Sequence, residues 1–238
     1  MKKLSLLISI IVLIIISYFT FSNLEIKSEN RNRIKGIDIS NQYKGNLKWS
    51  ELKEFGDFVI LRAVRAIDTC KTKCIEKFAS IPDKKFNKNW KSLKNNKIIR
   101  GAYHFFAPNV SAKTQFDIFK RTVKLEKGDL PPILDVENRK CDMNEVFKWL
   151  ELAKTHFKVK PILYSEYFFY KLFLKNKNNS FPIWLYINEN FFMEPSFKNP
   201  NCVLWQYKQD KLINDFQEKV DFNVFLGKNE DFKNLLIK

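Results

Sequence analysis

Asp135 and Glu137 close an apolar run, PPILDVE at 131–137, with a single residue between them. In an extended strand, residues i and i+2 project to the same face with Cα atoms about 6.5 Å apart. Two carboxyls held that close repel as charges, so one of them keeps its proton towards neutral pH. A protonated and an ionised carboxyl side by side are the minimum equipment for glycoside hydrolysis. One gives a proton to the leaving oxygen, and the other stabilises or attacks the oxocarbenium-like centre. A D-x-E at a strand end is also common as plain solvated loop. Its apolar context sets this one apart, as does Asp38, which interrupts a similar run in GIDIS at 36–40. Carboxyls in such places are costly to hold, and two of them in one domain are hard to explain as surface decoration. A fourth acid, Asp221, begins VDFNVF at 220–225 or lies in the loop that leads to it.

The elements that must position these acids are short apolar runs at 36–40, 58–64, 98–106, 131–137, 161–165, 181–187, 202–207 and 220–225. Several are apolar throughout, as strands covered on both faces must be. Helical periods fit between some of them. One covers 111–126 with Ser111 as N-cap; another covers 142–157 with Asp142 as cap and Glu145 at the capping-box position. The connection at 188–201 looks irregular. Eight strands with incomplete helices point to an α/β fold, a modified (β/α) TIM-like barrel with eight strands and fewer than eight full helices. In such a barrel the active site lies at the C-terminal ends of the strands, where Asp135 and Glu137 fall.

Aromatic residues gather at the same strand ends: Tyr103, Tyr164, Trp184, Tyr186, Trp205 and Tyr207. Sugar rings present apolar faces to aromatic rings, so Tyr103, Tyr164, Trp184, Trp205 and Tyr207 are expected to bind a saccharide. Phe105 and Phe106 fit core filling. His104 reads as a satisfied polar core residue and not as a catalytic base.

Composition bounds the setting. The 238 residues carry a formal net charge of +16, which favours a polyanionic partner but selects none among nucleic acid, anionic lipid and cell wall. Lys2 and Lys3 precede a mostly apolar run from Leu4 to about Phe21, with no small-x-small cleavage site after it. That arrangement is an export signal. It predicts residues 1–24 as a signal anchor or signal peptide and 25–34 as a polar tether. The catalytic barrel is then expected over 35–228, with a C-terminal tail at 229–238. The expected location is the cell envelope facing outward, or outside the cell if the N-terminus is cleaved, which removes nucleic acid as a partner. Outside the cytoplasm Cys70 and Cys74 are expected to form a disulfide, while Cys141 and Cys202 either pair across the barrel top or stay free. The two histidines and four cysteines are not spaced as a zinc site, and no metal is expected.

Taken in order, GIDIS, Trp49, FVILRA, DKKFNKNW at 83–90, GAYHFF at 101–106, PPILDVE, PILYS at 161–165, LWQY at 204–207 and VDFNVF resemble the glycoside hydrolase family 25 lysozymes. The resemblance spans roughly residues 35–227. It implies a flattened barrel and cleavage of the β-1,4 bond between N-acetylmuramic acid and N-acetylglucosamine, without metal or cofactor. It also implies Glu137 as proton donor, Asp135 as the neighbouring acid that helps stabilise the transition state, and Asp38 and Asp221 as the other acids of the cleft. The partners implied are peptidoglycan glycan strands and anionic cell-wall material, with membrane contact through the N-terminal segment and a monomeric chain. The sequence departs from the family in two places. RAVRAIDTCKTKCIEKFASIP replaces an Ala-Thr-Glu-Gly-like turn, and Tyr186 stands where a W-x-A-x-Y pattern has its small residue. A reading from another class is a catalytically weak peptidoglycan-binding envelope protein on the same barrel; the retained acids speak against it. A chitinase-like barrel would show a longer D-x-x-D-x-D-x-E series, which PPILDVE lacks.

Overall fold

The computed structural model describes residues 33–40, 56–68, 78–177, 180–189, 201–213 and 218–238. The N-terminal segment, Trp49, Cys70, Cys74 and most of the 188–201 connection lie outside them, so the anchor and the Cys70–Cys74 disulfide do too. Among the described residues no helix is long and apolar enough to cross a membrane.

Nine strands are described: β1 (Lys35–Ile39), β2 (Phe58–Asp68), β3 (Phe78–Pro82), β4 (Ile99–Phe105), β5 (Ile133–Asp135), β6 (Ile162–Glu166), β7 (Ile183–Tyr186), β8 (Cys202–Ile213) and β9 (Glu218–Phe225). Their order is β1-β9-β8-β7-β6-β5-β4-β2-β3, and a further β1–β2 pairing closes the ring. Eight of them make the barrel, at the positions the apolar runs predict. β3 is additional: it pairs antiparallel with the outer half of β2, from Val64↔Pro82 to Asp68↔Phe78. The pairings from β1 through β2, β4, β5, β6 and β7 to β8 are parallel. β9 reverses, running antiparallel to both β8 and β1. The barrel is therefore mixed, and it closes through an antiparallel strand.

Alternation along the strands sorts the side chains into two cores. Phe58, Ile60, Tyr103, Ile133, Ile162, Tyr164, Trp184, Leu204 and Phe225 cluster inside the ring. Ile37, Val59, Leu61, Ala102, Leu134, Leu163 and Leu185 cluster with helix residues outside it. Gly36 shows how tightly the inside is filled, because a Cβ there would collide with the Phe58 ring.

The helical segments are α1 (Phe86–Asn95), α2 (Ala112–Thr122), α3 (Met143–Phe157), α4 (Tyr167–Phe169, continuing as a π turn Tyr170–Leu174) and α5 (Asn229–Leu235). α2 and α3 match the expected helices. Ser111 caps α2 by accepting from Thr114 N, and Asp142 caps α3 by accepting from Asn144 N. Glu145 does not simply close its own capping box: its carboxylate accepts from the Ala112 amide and ties the start of α2 to α3. Trp149 of α3 packs edge-on against Phe116 and Phe119 of α2. Within the expected tail 229–238, Asn229–Leu235 form α5. Phe232 is buried and meets the rings of Phe58 and Phe225, plugging the lower end of the barrel. Backbone bonds between Ile237 and both Gly128 and Asp129 hold the terminus there.

Candidate active site

The four acids reach one place by two different routes. On the parallel strands they sit at C-terminal ends: Asp38 on β1, and Asp135 and Glu137 at and just past the end of β5. The Val136 amide bonds to Tyr164 O, and the Phe106 amide to Asp135 O, which keeps the chain extended through 136. Asp221 lies near the start of its strand, which in an all-parallel barrel would be the wrong end. Because β9 is reversed, its start lies beside the C-terminal end of β1, and Asp221 pairs in register with Asp38.

There they line a cleft of about 170 Å³ with Arg62, Tyr103, Phe105, Tyr164, Trp184, Gln206 and Gln209. Tyr103, Tyr164 and Trp184 are thus brought together with the four acids, as expected. Trp205 and Tyr207 are not. Leu204 faces inward, so strand alternation points Gln206 into the cleft and turns its two aromatic neighbours away. Trp205 donates its indole N–H to Ile187 O, and Tyr207 packs against Trp205 and Phe222. Both pack outside the ring and neither lines the cleft.

The polar residues that organise the cleft were not singled out from sequence. Gln206 donates to Asp38 Oδ1 at 2.8 Å and accepts from the Tyr164 hydroxyl at 2.7 Å. Asn223 donates to the same Asp38 oxygen at 2.8 Å, and its own carbonyl accepts from Trp184 Nε1 at 2.8 Å. Asp38 is therefore held by two amides that are themselves held by aromatic donors. Asp221 accepts from the Asp210 amide at 2.8 Å. Arg62 approaches Asp83 through Nε at 3.4 Å and lines the cleft with the rest of its side chain. A signal for Asn223 was present: it stands two residues from Asp221, the same spacing as Asp135 to Glu137.

Desolvation by the cleft walls raises the proton affinity of all four acids, including Glu137, which still reaches solvent on one side. Asp38 lies well above its ordinary range, through burial first and the Asp221 charge second, with Asn223 and Gln206 opposing. Asp135 is also well above, through burial and then the charges of Glu137 and Asp38, with Arg62 opposing. Glu137 is raised first by desolvation against the cleft walls and then by the charges of Asp221 and Glu166, while the Tyr164 hydroxyl opposes. Burial likewise pushes Asp221 up to about 6. Asp135 is deeply buried, and its Oδ1 has no hydrogen-bond partner among the described residues. Glu137, one dyad further out, is exposed at the cleft mouth. The arrangement is a carboxyl of raised proton affinity at the entrance with a second, more deeply buried one beneath it.

Three other titratable groups have no part in it. His104 is fully buried among α2 and α3, bonded through Nε2 to Gln115 Oε1 at 2.9 Å, and burial pushes its pKa down to about 4. It fills the core role its sequence position predicts. Cys141 and Cys202 are free and buried, with thiols pushed up to about 12 by burial, so neither is nucleophilic. Among the described residues no group of three or more His, Cys, Asp or Glu is arranged to hold a metal ion.

Residues 37–216, which contain the inward acids of β1 and β5, match Glycosyl hydrolases family 25. The chain belongs to glycosyl hydrolase family 25. It is a glycoside hydrolase by membership. The uncharacterized protein YegX of Escherichia coli K12 is 31% identical over 211 residues, covering 84% of this chain and 72% of YegX. A family 25 glycosyl hydrolase from Bacillus anthracis superposes with a TM-score of 0.70 at 28% identity, covering 86% of this chain and 94% of its own. The bacterial lysozyme of Streptomyces coelicolor shares the fold, with a TM-score of 0.70 at 21% identity over 86% of this chain and 97% of its own.

Proposed function

We propose that the chain is a muramidase that cuts the β-1,4 bond between N-acetylmuramic acid and N-acetylglucosamine in peptidoglycan. The observation that carries this is the pairing of Glu137, open to solvent and raised in proton affinity, with a buried Asp135 on one face of β5 and its extension. Glu137 protonates the glycosidic oxygen as the bond lengthens. Asp135, beneath it, stabilises the positive charge that grows at the sugar's anomeric centre. Asp38 and Asp221 fix the polar wall opposite, and Tyr103, Tyr164 and Trp184 bear on the sugar faces. Lysozymes sharing the fold support the choice of wall glycan as substrate. In this reading residues 1–24 export or anchor the chain, 25–34 tether it, and the barrel works outside the cytoplasm on wall material. No metal or cofactor takes part.

Digestion of purified sacculi followed by mass analysis of the fragments tests the bond. The expected products end in a reducing N-acetylmuramic acid, and chitin oligomers stay whole. Fragments ending in reducing N-acetylglucosamine would contradict the bond assignment. Sacculi bound but left uncut would instead support a binding protein on the same barrel.

A further inference from the structure

Among the described residues three large apolar side chains are strongly exposed, and all three sit on α4: Phe168 at 55%, Leu172 at 69% and Phe173 at 37%. Everything else about this helix is well anchored. Glu166 accepts from the Phe168 and Phe169 amides at 3.0 Å each and fixes its start. Phe169, Tyr170 and Leu174 are buried beneath it. The π turn at Tyr170–Leu174 changes the helical phase, so Leu172 and Phe173 both come to the surface while Leu174 returns to the core. Monomeric surfaces scatter single apolar residues, but a cluster on one element marks a contact.

Its position says with what. α4 follows β6 at the end of the barrel that carries the cleft. Tyr164 of β6 lines the cleft, and Glu166 lies near enough for its charge to act on Glu137. Arg139, two residues beyond Glu137, stands over the Phe173 ring at 5.9 Å. The patch is thus continuous with the lip on which the exposed acid sits. Lys171, Lys175 and Arg139 are exposed around it, matching the carboxylates that peptide stems add to a wall glycan.

We infer that the exposed face of α4 is a glycan-binding platform that extends the cleft, with Phe168 and Phe173 stacking on sugar faces and the flanking cations meeting acidic stem peptides. The inference rests on the muramidase reading and adds to it a surface for long or insoluble strands. A short oligosaccharide that fills only the cleft does not need this platform; a wall strand does.

The test uses the full-length chain in mild detergent, with Phe168, Leu172 and Phe173 all changed to Ser. In a Glu137→Gln background, binding to lipid-free sacculi is measured by co-sedimentation. The apparent Kd is expected to rise about tenfold, equivalent to ~1.4 kcal/mol. With Glu137 intact, hydrolysis of sacculi is expected to fall about tenfold, while kcat/KM on a soluble peptidoglycan tetrasaccharide stays within about twofold. A melting temperature close to that of the parent confirms that the fold is kept. Unchanged binding to lipid-free sacculi would overturn the platform and leave a lipid or protein surface as the partner. An equal loss on both substrates would overturn it too, as the mark of a structural role. If the parent chain cuts neither substrate, the muramidase reading fails, while the binding comparison still decides the platform.

Discussion

The interior of this barrel has two halves with opposite chemistry. The lower half is closed by Phe58, Ile60, Ile133, Ile162, Leu204 and Phe225, with Phe232 of α5 as the plug. The upper half holds four carboxyls, one arginine, two glutamines and the aromatics that contact them. The same strands build both, and on several of them the change comes within one dyad: Ile60 to Arg62, Ile133 to Asp135, Leu204 to Gln206. Apolar packing makes the lower half a source of stability. The upper half is a place where burial works against the charged state of its residues. One half supports the cost of the other.

Breaking the lower half should have the largest effect on folding. Phe58→Ala removes a fully buried ring that touches Phe232, and a loss of about 3–5 kcal/mol is expected. Chemical unfolding measures it, and the folded fraction should keep its kcat.

Loosening the upper half should act on chemistry instead. Gln206→Leu takes a donor from Asp38 and an acceptor from the Tyr164 hydroxyl while keeping an inward side chain of similar bulk. Activity on sacculi is expected to fall about 10-fold or more, because leaving buried polar partners unsatisfied costs roughly 1–3 kcal/mol. Its melting temperature at neutral pH should move far less than that of Phe58→Ala.

The pH dependence of stability sharpens the comparison. A carboxyl with a raised pKa binds its proton more tightly folded than unfolded. Its contribution to stability is therefore present at low pH and is lost as pH rises from the unfolded value to the folded one. For Asp221 that window runs from 3.8 to about 6. His104 has the opposite sign: lowered to about 4, it costs stability as pH falls from 6.5 through 4. Asp221→Asn should therefore leave a shallower loss of stability on raising pH from 4 to 6, read from melting temperatures. Arg62→Met removes the cation that favours ionised Asp135. The acid limb of the kcat/KM profile should move to higher pH, and Arg62→Lys should restore it.

The smallest effect is expected outside the ring. Trp205→Phe and Tyr207→Phe should leave activity within about threefold, because neither side chain lines the cleft. Both positions show where the sequence was legible and where it was not. Spacing alone placed Asp135 and Glu137 on one face, because period two needs no tertiary information. It could equally have placed Gln206, but the aromatic character of its neighbours outweighed the phase set by Leu204. One residue of phase decides which face a side chain takes. Asp221 was assigned to the cleft although a start-of-strand position argued against it; the reversal of β9, a tertiary fact, resolves this. β3 is a five-residue edge strand at the end of the Cys-bearing insertion and gave no periodic signal. α4 escaped because its π turn breaks the 3.6-residue repeat by which helices are recognised. α5 is held through Phe232, whose ring partners Phe58 and Phe225 lie on other elements, and through the Ile237 backbone bonds to Gly128 and Asp129, remote in sequence.

The central claim is that the acids of the upper half serve the reaction at the expense of stability. Asp135→Asn at pH 7 tests it most directly, with sacculus hydrolysis and unfolding free energy measured on the same preparation. The account predicts that hydrolysis falls by about 10²-fold or more, of the size that general acid–base and electrostatic contributions reach, while the unfolding free energy stays level or rises. Preserved hydrolysis together with a loss of stability would contradict it and make Asp135 a structural residue.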